Sequence, residues 1–461
     1  MLNDILTDQK HLFPNGAHTE LRAQVNRTRR VTLLGGDMIQ NARSDVSGVS
    51  ARVCRNGTCG FSSMAEYSPE AVRAVLTAAS ENAAFMDAHA GKSASVLPPV
   101  GAGHIDPQRD IRDAAQNRYI DFARALDDRL AARYKNLVSR RVVVYEDSME
   151  KLLRVSQGTD AHVLAPRSYC YVFFTAETPQ GVPVDLFTVA GGEGVFEENF
   201  ADPAALDEPI DELYARVMAK REGVWADAGE KTVILGGMMT GMLSHEAVGH
   251  TVEADIVAGG SVAASRLGKR VASDKVTMTD FAHTAFGARC PLPVFVDDEG
   301  TPARDVTLIQ NGILTGYMNN RESAVRYGMD PAGNARAWLF SDEPLIRMRN
   351  TAIHPGTDKL EDMIASVDDG YYLLNSGNGQ ADTTGEFMFG VTMGYEIKKG
   401  KLGRALLDTT VSGVAFEMLK TVDMVSDEVV WASSGFCGKK QPMSVGMGGP
   451  ALRCRITIGG R

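Results

Sequence analysis

The sequence is poor in cysteine, and it lacks any long apolar run. Its six cysteines, at positions 54, 59, 170, 290, 437 and 454, are sparse among 461 residues, so we expect reduced thiols in a cytosolic protein rather than a disulfide framework. No stretch of about 18 apolar residues is present, which argues against a membrane-spanning helix. Residues 1–30 have no charged segment followed by an apolar one, so a secretory signal is not predicted.

Positively charged residues are fewer than negatively charged ones. Lysine and arginine total 48 against 58 aspartate and glutamate residues, which gives a net charge of −10 at pH 7. Because proteins that bind duplex DNA normally carry a basic face, this balance disfavours a nucleic-acid partner. A hydrophobic content of 44% and a charged content of 23% are typical of a soluble globular protein.

The length predicts more than one domain, because a single core rarely grows to this size. We predict an α+β fold in two parts. Residues 1–228 form an N-terminal α+β domain with helices on a sheet and a sub-boundary near residues 91–107. Residues 229–461 form a large, strand-rich, barrel-like C-terminal domain, because glycine turns recur along them. This second domain contains the helix with the histidine motif.

Turn and cap residues place the first elements. An Asn-Gly pair at 56–57 predicts a hairpin over residues 45–63, with Cys54 and Cys59 as unpaired bystanders on its strands. Ser68 before a proline predicts the start of a helix that extends to about Ala90. The other predicted elements are helices over 110–134, 208–228 and 358–367, strands over 142–145, 163–165, 169–174, 404–410 and 451–458, and a hairpin over 308–314.

The strongest candidate for a functional site is the segment Ser244-His245-Glu246-Ala247-Val248-Gly249-His250, which contains two histidines and a glutamate. Neutral imidazoles bind Zn²⁺, and a carboxylate beside a ligand can accept a proton from metal-bound water. A predicted buried strand over 231–235 and a Gly-Gly turn at 236–237 precede the motif, and residues 238–247 are predicted to form the start of an apolar helix. Histidine pairs on helices are more often hydrogen-bonded or exposed than metal-bound. Polar groups inside an apolar segment are nevertheless costly unless they are paired or bind a metal, so zinc and hydrogen-bonding interpretations both stand.

The spacing of the two histidines is unusual. The familiar peptidase helix has His-Glu-x-x-His, whose histidines share one face, whereas His245 and His250 are five residues apart. Five residues turn an α-helix by about 140° past a full turn, so the two side chains cannot reach one metal from an ideal helix. A π-bulge would bring them together, and Gly249 is where the backbone deforms most easily. The spacing therefore predicts a distorted turn.

A catalytic zinc usually needs a third protein ligand. Cys437 is the best cysteine on local chemistry, since glycines flank it and two lysines follow, which favours a thiolate. Glu253 and Asp255, just past the second histidine, are carboxylate rivals. Spacing alone does not choose between these three.

Several blocks of the chain resemble the TldD/PmbA family of zinc metallopeptidases, and in particular its TldD branch, because the PmbA (TldE) branch lacks the metal motif. The blocks occur in the family's order and cover most of the chain. They are Gly48–Arg52, Gly60–Ser62, Val233–Gly236, His245–His250, Val296–Pro302, Gly312–Tyr317, Arg347–Thr351 and Gly435–Lys439. The segment Lys439-Lys440-Gln441 departs from the family pattern, being shorter and more basic than expected.

The resemblance implies a ligand set and a mode of action. It assigns His245, His250 and Cys437 to zinc and Glu246 to the role of general base. Family members form dimers, often of TldD with its zinc-free relative, that admit unfolded peptides. Some members have been described as modulators of DNA gyrase, a role that the acidic charge does not support.

The predicted function is therefore a cytoplasmic zinc-dependent peptidase that hydrolyses unfolded peptides or small proteins through a metal-activated water. The partner is a second copy or a PmbA/TldE-like subunit. The alternative is a catalytically silent structural subunit of such a dimer. An extended peptide added along a strand edge fits a strand-rich domain. His283, Arg336 and Tyr371 are candidate oxyanion donors, although structural roles are commoner for such side chains, and no substrate-binding residue is predicted.

Overall fold

The computed structural model describes residue 6 and residues 9–89, 97–98, 100, 103–105 and 114–459. Its first half is built on one large sheet with helices packed against it. The strands are β1 (His18–Leu34), β2 (Asp37–Arg55), β3 (Thr58–Met64), β4 (Gly103–Ile105), β5 (Ser139–Val155), β6 (Thr159–Glu177) and β7 (Pro183–Glu193). The helices are α1 (Pro69–His89), α2 (Gln116–Arg133), α3 (Phe196–Asn199) and α4 (Asp207–Arg221).

The sheet has the order β3-β2-β1-β5-β6, with β7 and the short β4 both pairing with β6. Most of its strands are long and antiparallel, and β1 pairs with β2 and β5 along nearly its whole length. Helix α1 packs on β2 and β3, and it begins where Ser68 accepts a hydrogen bond from the Ala71 amide at 3.1 Å. Helices α2 and α4 cover another core that contains Val142, Val144 and Val172.

The second half contains many short strands, four long ones and the helix of the histidine motif. Its strands are β8 (Gly229–Leu235), β9 (Met278–Phe281), β10 (Thr284–Ala285), β11 (Ala288–Arg289), β12 (Val306–Gln310), β13 (Ile313–Leu314), β14 (Ala335–Arg336), β15 (Leu345–Ile346), β16 (Asn350–Ile353), β17 (Asp369–Ala381), β18 (Glu386–Lys398), β19 (Lys401–Ala405), β20 (Thr409–Val414), β21 (Met424–Val425), β22 (Val430–Ala432), β23 (Phe436–Cys437), β24 (Met443–Ser444), β25 (Gly446–Gly449) and β26 (Leu452–Ile458). Its helices are α5 (Gly237–Met242), a π-helix (Leu243–Gly249), α6 (Ala254–Ala258), α7 (Arg321–Tyr327), α8 (Leu360–Ala365) and α9 (Ala415–Lys420).

Five strands of the second half close into a barrel. The order β17-β8-β26-β20-β18 is closed by pairing of β18 with β17, so none of the five lacks a neighbour on either side. A six-stranded sheet, β13-β12-β9-β16-β25-β22, lies beside it. Helix α5 and the π-helix contact both sheets through β17, β16 and β25. The predicted α+β fold with a barrel-like second half is thereby confirmed.

Buried ion pairs join the N-terminal sheet to the second half. Lys151 on β5 lies 2.8 Å from the Asp298 carboxylate, and Arg22 on β1 lies 3.2 Å from the same group. Arg52 on β2 reaches Glu299 at 2.8 Å. Because such charges are costly to bury unless they are paired, these contacts fix how the sheet meets residues 297–299.

The structure confirms some of the predicted helices, strands and hairpins and contradicts others. Both Asn-Gly hairpins are confirmed, and Asn56 has the positive φ of 48° that such turns require. The strands of the first half are much longer than predicted, and β1 was not predicted. The expected strand over 404–410 is wrong, because β19 ends at Ala405 and β20 begins at Thr409. Part of the helix predicted over 110–134 and most of the sub-boundary near 91–107 lie outside the described residues, and the division after residue 228 stays a prediction.

The interpretation of Cys54 and Cys59 as unpaired thiols is wrong. The two residues lie directly opposite each other on β2 and β3, with their Cα atoms 4.1 Å apart, and they form a disulfide. The two-residue turn sets this register, which places the side chains on the same face of the sheet. Among the described helices, none is both long and apolar enough to cross a membrane; the cytoplasmic location stays a prediction.

Candidate metal centre

A π-helix brings the two histidines of the motif together. Residues Leu243–Gly249 form this wide helix, and the His250 amide donates its hydrogen bond to the His245 carbonyl, five residues back. The two imidazole rings consequently lie with their centroids 5.1 Å apart. The predicted distorted turn is confirmed. Leu243, Ala247 and Val248 on the same helix are buried in the main core, which holds it in place.

Gly249 has a different role from the one predicted. Its φ of −54° and ψ of −50° are ordinary helical values, so the turn does not need glycine for its conformation. A Cβ there would lie 2.2 Å from the Met348 sulfur and 2.9 Å from the Ser244 carbonyl oxygen. Close packing is therefore what requires glycine.

Replacement of Gly249 by alanine should destabilise the protein by about 1–3 kcal/mol, the usual cost of overpacking a core. Urea denaturation measures this, and Gly260→Ser serves as a control for substitution of an exposed glycine, since a Cβ at Gly260 meets nothing within 4 Å. Gly260 has a positive φ of 90°, so a side chain there strains the backbone without meeting any neighbouring atom. The loss of unfolding free energy in the serine variant is therefore an upper limit for what a backbone effect, without overpacking, contributes. An unchanged unfolding free energy in the alanine variant would contradict the packing role.

Three side chains converge on one point. Nitrogen or sulfur atoms of His245, His250 and Cys437 all lie within 4.8 Å of one another, and the Cys437 sulfur is 3.3 Å from Nε2 of His250. Both ring nitrogens of His245 are buried and have no hydrogen-bond partner in the described part of the chain. An unpaired buried imidazole is costly, and a thiolate with two imidazoles is a common donor set for Zn²⁺. The residues present therefore fit a zinc ion.

The electrostatics of the cluster favour a thiolate. Burial raises the pKa of the Cys437 thiol, but its contacts with His245 and His250 outweigh burial and lower that pKa to about 4. Burial lowers the pKa of His250, but hydrogen bonds with Cys437 and Glu253 outweigh it and raise that pKa to about 10. Because the thiolate is the form that ligates metals, the cluster suits a cation.

The Glu246 carboxylate lies between the two rings. Its oxygens are 3.9 Å from Nε2 of His245 and 3.8 Å from Nε2 of His250, and it does not belong to the converging donor set. The side chain is 28% exposed, so solvent reaches it. This position suits a group that acts on a water near the imidazole nitrogens.

The two carboxylates considered as rival ligands have other partners. Oε2 of Glu253 accepts a hydrogen bond from Nδ1 of His250 at 2.7 Å, and Lys439 lies 3.2 Å from the same carboxylate. Asp255 pairs with Lys439 at 2.8 Å. Glu253 therefore orients His250 and leaves Nε2 facing Cys437, as carboxylates commonly do behind metal-bound histidines.

Replacement of Glu253 by glutamine should weaken zinc binding by about 10–100-fold, the usual effect of losing such a supporting carboxylate. A competition titration with a zinc chelator measures the affinity. The control is Asp255→Asn, which removes a carboxylate from the other, more exposed end of the same ion-pair group. Equal affinities for the two variants would contradict the orienting role of Glu253.

Arg347 holds the cysteine loop in place, a role that sequence reasoning missed. This fully buried side chain donates hydrogen bonds to the carbonyl oxygens of Cys437 at 2.7 Å, Lys439 at 2.6 Å and Gln441 at 2.8 Å. Arg347 belongs to one of the blocks that carry the family resemblance, which was the only signal for it. The loop that departs from the family pattern is thus well anchored.

The N-terminal sheet supports the segment that leads to Cys437. The hydroxyl of Tyr169 donates to the Ser433 carbonyl at 2.9 Å, and that of Tyr171 donates to the Ser434 carbonyl at 3.0 Å. Both tyrosines lie on β6. The site therefore depends on both halves of the protein.

The three candidate oxyanion donors have structural contacts. Arg336 donates to the carbonyl oxygens of Met348 and Ser444. The Tyr371 hydroxyl accepts a hydrogen bond from the Asp227 amide. His283 stacks on Phe295. None of these contacts points to a catalytic role.

Comparison with known proteins gives the family. A family model described as the PmbA/TldA metallopeptidase C-terminal domain matches residues 228–460, and the model of domain 1 of the same family matches residues 19–83. The chain is 29% identical to a protein of Methanothermobacter thermautotrophicus named metalloprotease, over 96% of this chain and 95% of that one. It is 39% identical to a Buchnera aphidicola protein named metalloprotease TldD homolog, and 33% identical to a Saccharolobus solfataricus protein named zinc metalloprotease TldD homolog. These two alignments span about half of each chain.

Solved structures show the same fold. TldE of Thermococcus kodakarensis superposes with a TM-score of 0.77 at 17% identity, over 98% of this chain and 99% of that one. A Thermotoga maritima protein assigned as a candidate modulator of a DNA gyrase gives 0.79, also at 17% identity, over 99% of both chains. The family model that spans the barrel and the histidine motif settles the relationship: the chain belongs to the PmbA/TldD family of metallopeptidases.

Proposed function

We propose that the protein is a zinc-dependent peptidase that hydrolyses unfolded peptides or small proteins. The observation that carries this proposal is the convergence of His245, His250 and Cys437 within 4.8 Å, with the Glu246 carboxylate beside both rings. Within the part of the chain that the structure describes, the buried imidazole of His245 has no hydrogen-bond partner and the pKa of the Cys437 thiol is lowered to about 4, two features that a purely structural role does not explain. Together they support a bound cation.

Each side chain has a definite task in this proposal. When bound, zinc supplies a polarised water and a Lewis acid for the scissile carbonyl. His245, His250 and Cys437 would hold the ion, and the Glu246 carboxylate would accept a proton from water beside the two rings and return it to the leaving amine, as a general acid–base carboxylate does. Glu253 fixes the ring of His250, and Arg347 fixes the loop of Cys437.

The substrate and the assembly are extensions of the same proposal. An unfolded peptide fits because the family resemblance implies it and because an extended strand can pair with an exposed sheet edge. We propose that the protein acts as a dimer, with a second copy or with a PmbA/TldE-like subunit. Size-exclusion chromatography with light scattering tests the homodimer; a monomer at micromolar concentration favours the mixed pair.

Zinc content and peptide cleavage, measured on the same preparation, test the function. We expect about one zinc per chain by elemental analysis and cleavage of casein or an unfolded peptide that a chelator abolishes and zinc restores. Absence of zinc from a chelator-free preparation that also fails to take up added zinc would overturn the proposal. It would favour a catalytically silent subunit, which retains the fold without chemistry.

A further inference from the structure

A cleft lined in part by β23 carries two arginines that have no acidic partner among the described residues. It has a volume of about 490 Å³ and lies on the face of the N-terminal sheet that packs against the second half, beyond the part where Arg22 and Lys151 pair with Asp298. Arg30 on β1 and Arg141 on β5 line it together with aromatic side chains of β5 and β6, and Ser434 and Phe436 close one side. Among the described residues that line the cleft, none is aspartate or glutamate.

Strand register explains why these side chains share a face. Arg30 lies opposite Tyr145, and Arg141 lies opposite Phe173. Directly opposed residues in antiparallel strands point to the same side of a sheet. The other side, which carries Val142 and its neighbours, is covered by helices and forms a core. Arg30 and Arg141 lie on the opposite face from this core, at a part of the sheet where both side chains are exposed.

Aromatic rings hold the guanidinium groups in place. The guanidinium carbon of Arg141 lies 3.9 Å from the ring centroid of Phe173, and that of Arg30 lies 6.0 Å from the ring centroid of Tyr145. Such stacking leaves the N–H edges free for two parallel hydrogen bonds to a carboxylate. Neither arginine forms an ion pair with any described residue, so the cleft offers two oriented and unneutralised cations.

The cleft adjoins the metal centre through a single stretch of chain. Phe436, which lines the cleft, is the neighbour of Cys437 on β23. Ser434 also lines the cleft, and its carbonyl accepts the hydrogen bond from Tyr171. Because successive side chains of a strand point to opposite sides, the exposed Phe436 faces the cleft and the buried Cys437 faces the donor cluster, so a peptide bound at the metal centre would pass around β23 to reach the cleft.

We propose that this cleft binds acidic side chains of the peptide substrate, so that the protein prefers unfolded peptides rich in glutamate or aspartate. The inference deepens the proposed peptidase function and rests on it. The net charge of −10 does not oppose it at short range, because charges are screened beyond about 8–10 Å at physiological ionic strength. The two cations of the cleft dominate within that distance.

Binding of labelled peptides tests the proposal separately from catalysis. The probes are fluorescein-labelled, C-terminally amidated peptides of about ten residues with alternating glutamates, and a counterpart with glutamine at those positions. The protein is the zinc-loaded Glu246→Gln variant, which keeps the peptide intact, and fluorescence anisotropy gives the affinity. Since exposed ion pairs contribute a few-fold each, we expect the glutamate peptide to bind about tenfold more tightly and the preference to shrink in high salt.

The arginines are tested in the same assay. The double substitution Arg30→Ala and Arg141→Ala should abolish the preference, whereas Arg73→Ala, which removes an exposed arginine from α1, should leave it unchanged. Circular dichroism checks that each variant is folded. Equal affinity for the two peptides, or a preference that survives the double substitution, would overturn the inference.

Two further results separate this inference from its alternatives. A glutamine peptide with a free C-terminal carboxylate that binds as tightly as the amidated glutamate peptide would show that the cleft binds chain ends, and the side-chain assignment would be wrong. A glutamate preference in binding, without cleavage by the zinc-loaded wild-type protein, would support the cleft and count against the peptidase. Cleavage of both peptides with equal kcat/KM would support the peptidase and count against the cleft as a site for acidic side chains.

Discussion

Replacement of Glu246 by glutamine is expected to lower kcat for peptide hydrolysis by about 10²–10⁴-fold, the usual contribution of a general base, while zinc content stays near one per chain. The amide has nearly the same shape as the carboxylate but cannot accept the proton of water at neutral pH. Because Glu246 stands outside the converging donors, its loss should leave the ligand atoms in place.

Two measurements on one sample separate catalysis from metal binding. Elemental analysis gives the zinc content, and initial rates with an unfolded fluorogenic peptide give kcat and KM. The matched control is Glu417→Gln, which removes an exposed carboxylate from α9 and should change neither quantity. A wild-type kcat in the Glu246→Gln variant would show that Glu246 is not the general base. Loss of zinc from this variant would show that Glu246 contributes to metal binding.

The features that sequence reasoning predicted correctly are local. Asn56 at a positive φ, Ser68 at the start of α1 and the five-residue spacing of His245 and His250 each have their partners within a few residues. Even the π-helix follows from short-range geometry, because two histidines at that spacing can converge only if the turn widens. The disulfide is local too, because a two-residue turn places Cys54 opposite Cys59. It was not predicted because the cysteines were assumed to be reduced in a cytosolic protein.

The features that were missed have distant partners. Strand β1 is polar along one face, and its Gln24 and Asn26 side chains are buried because they donate to the carbonyl oxygen of Trp338, more than 300 residues away. A pattern of alternating apolar and polar residues does not reveal a strand that is buried on both faces. Arg347 is similar, since its three carbonyl acceptors lie 90, 92 and 94 residues further along the chain. Only the folded chain brings such groups together.

Replacement of Cys437 by serine is expected to weaken zinc binding by more than about 100-fold, beyond the effect of losing a supporting carboxylate, and to abolish peptide cleavage. Serine keeps the size of the side chain, but its hydroxyl stays protonated at neutral pH and is a poor zinc ligand. The cysteine thiol, whose pKa is lowered to about 4 by His245 and His250 despite burial, is already a thiolate.

Cys290→Ser provides the matched control for this substitution. Cys290 is also buried, but burial, together with Asp305 and Asp280, raises its pKa to about 12, so it remains a thiol and should not bind zinc. Thermal unfolding with and without added zinc gives a readout independent of activity. A ligand that binds only the folded state stabilises it by about 4 kcal/mol at 1,000 times its dissociation constant and by about 1.4 kcal/mol at ten times that constant. Zinc should therefore raise the Tm of wild type and Cys290→Ser by several degrees and that of Cys437→Ser by no more than about a third as much. A full zinc-dependent rise in Cys437→Ser would exclude Cys437 as a ligand and return Glu253 and Asp255 to consideration.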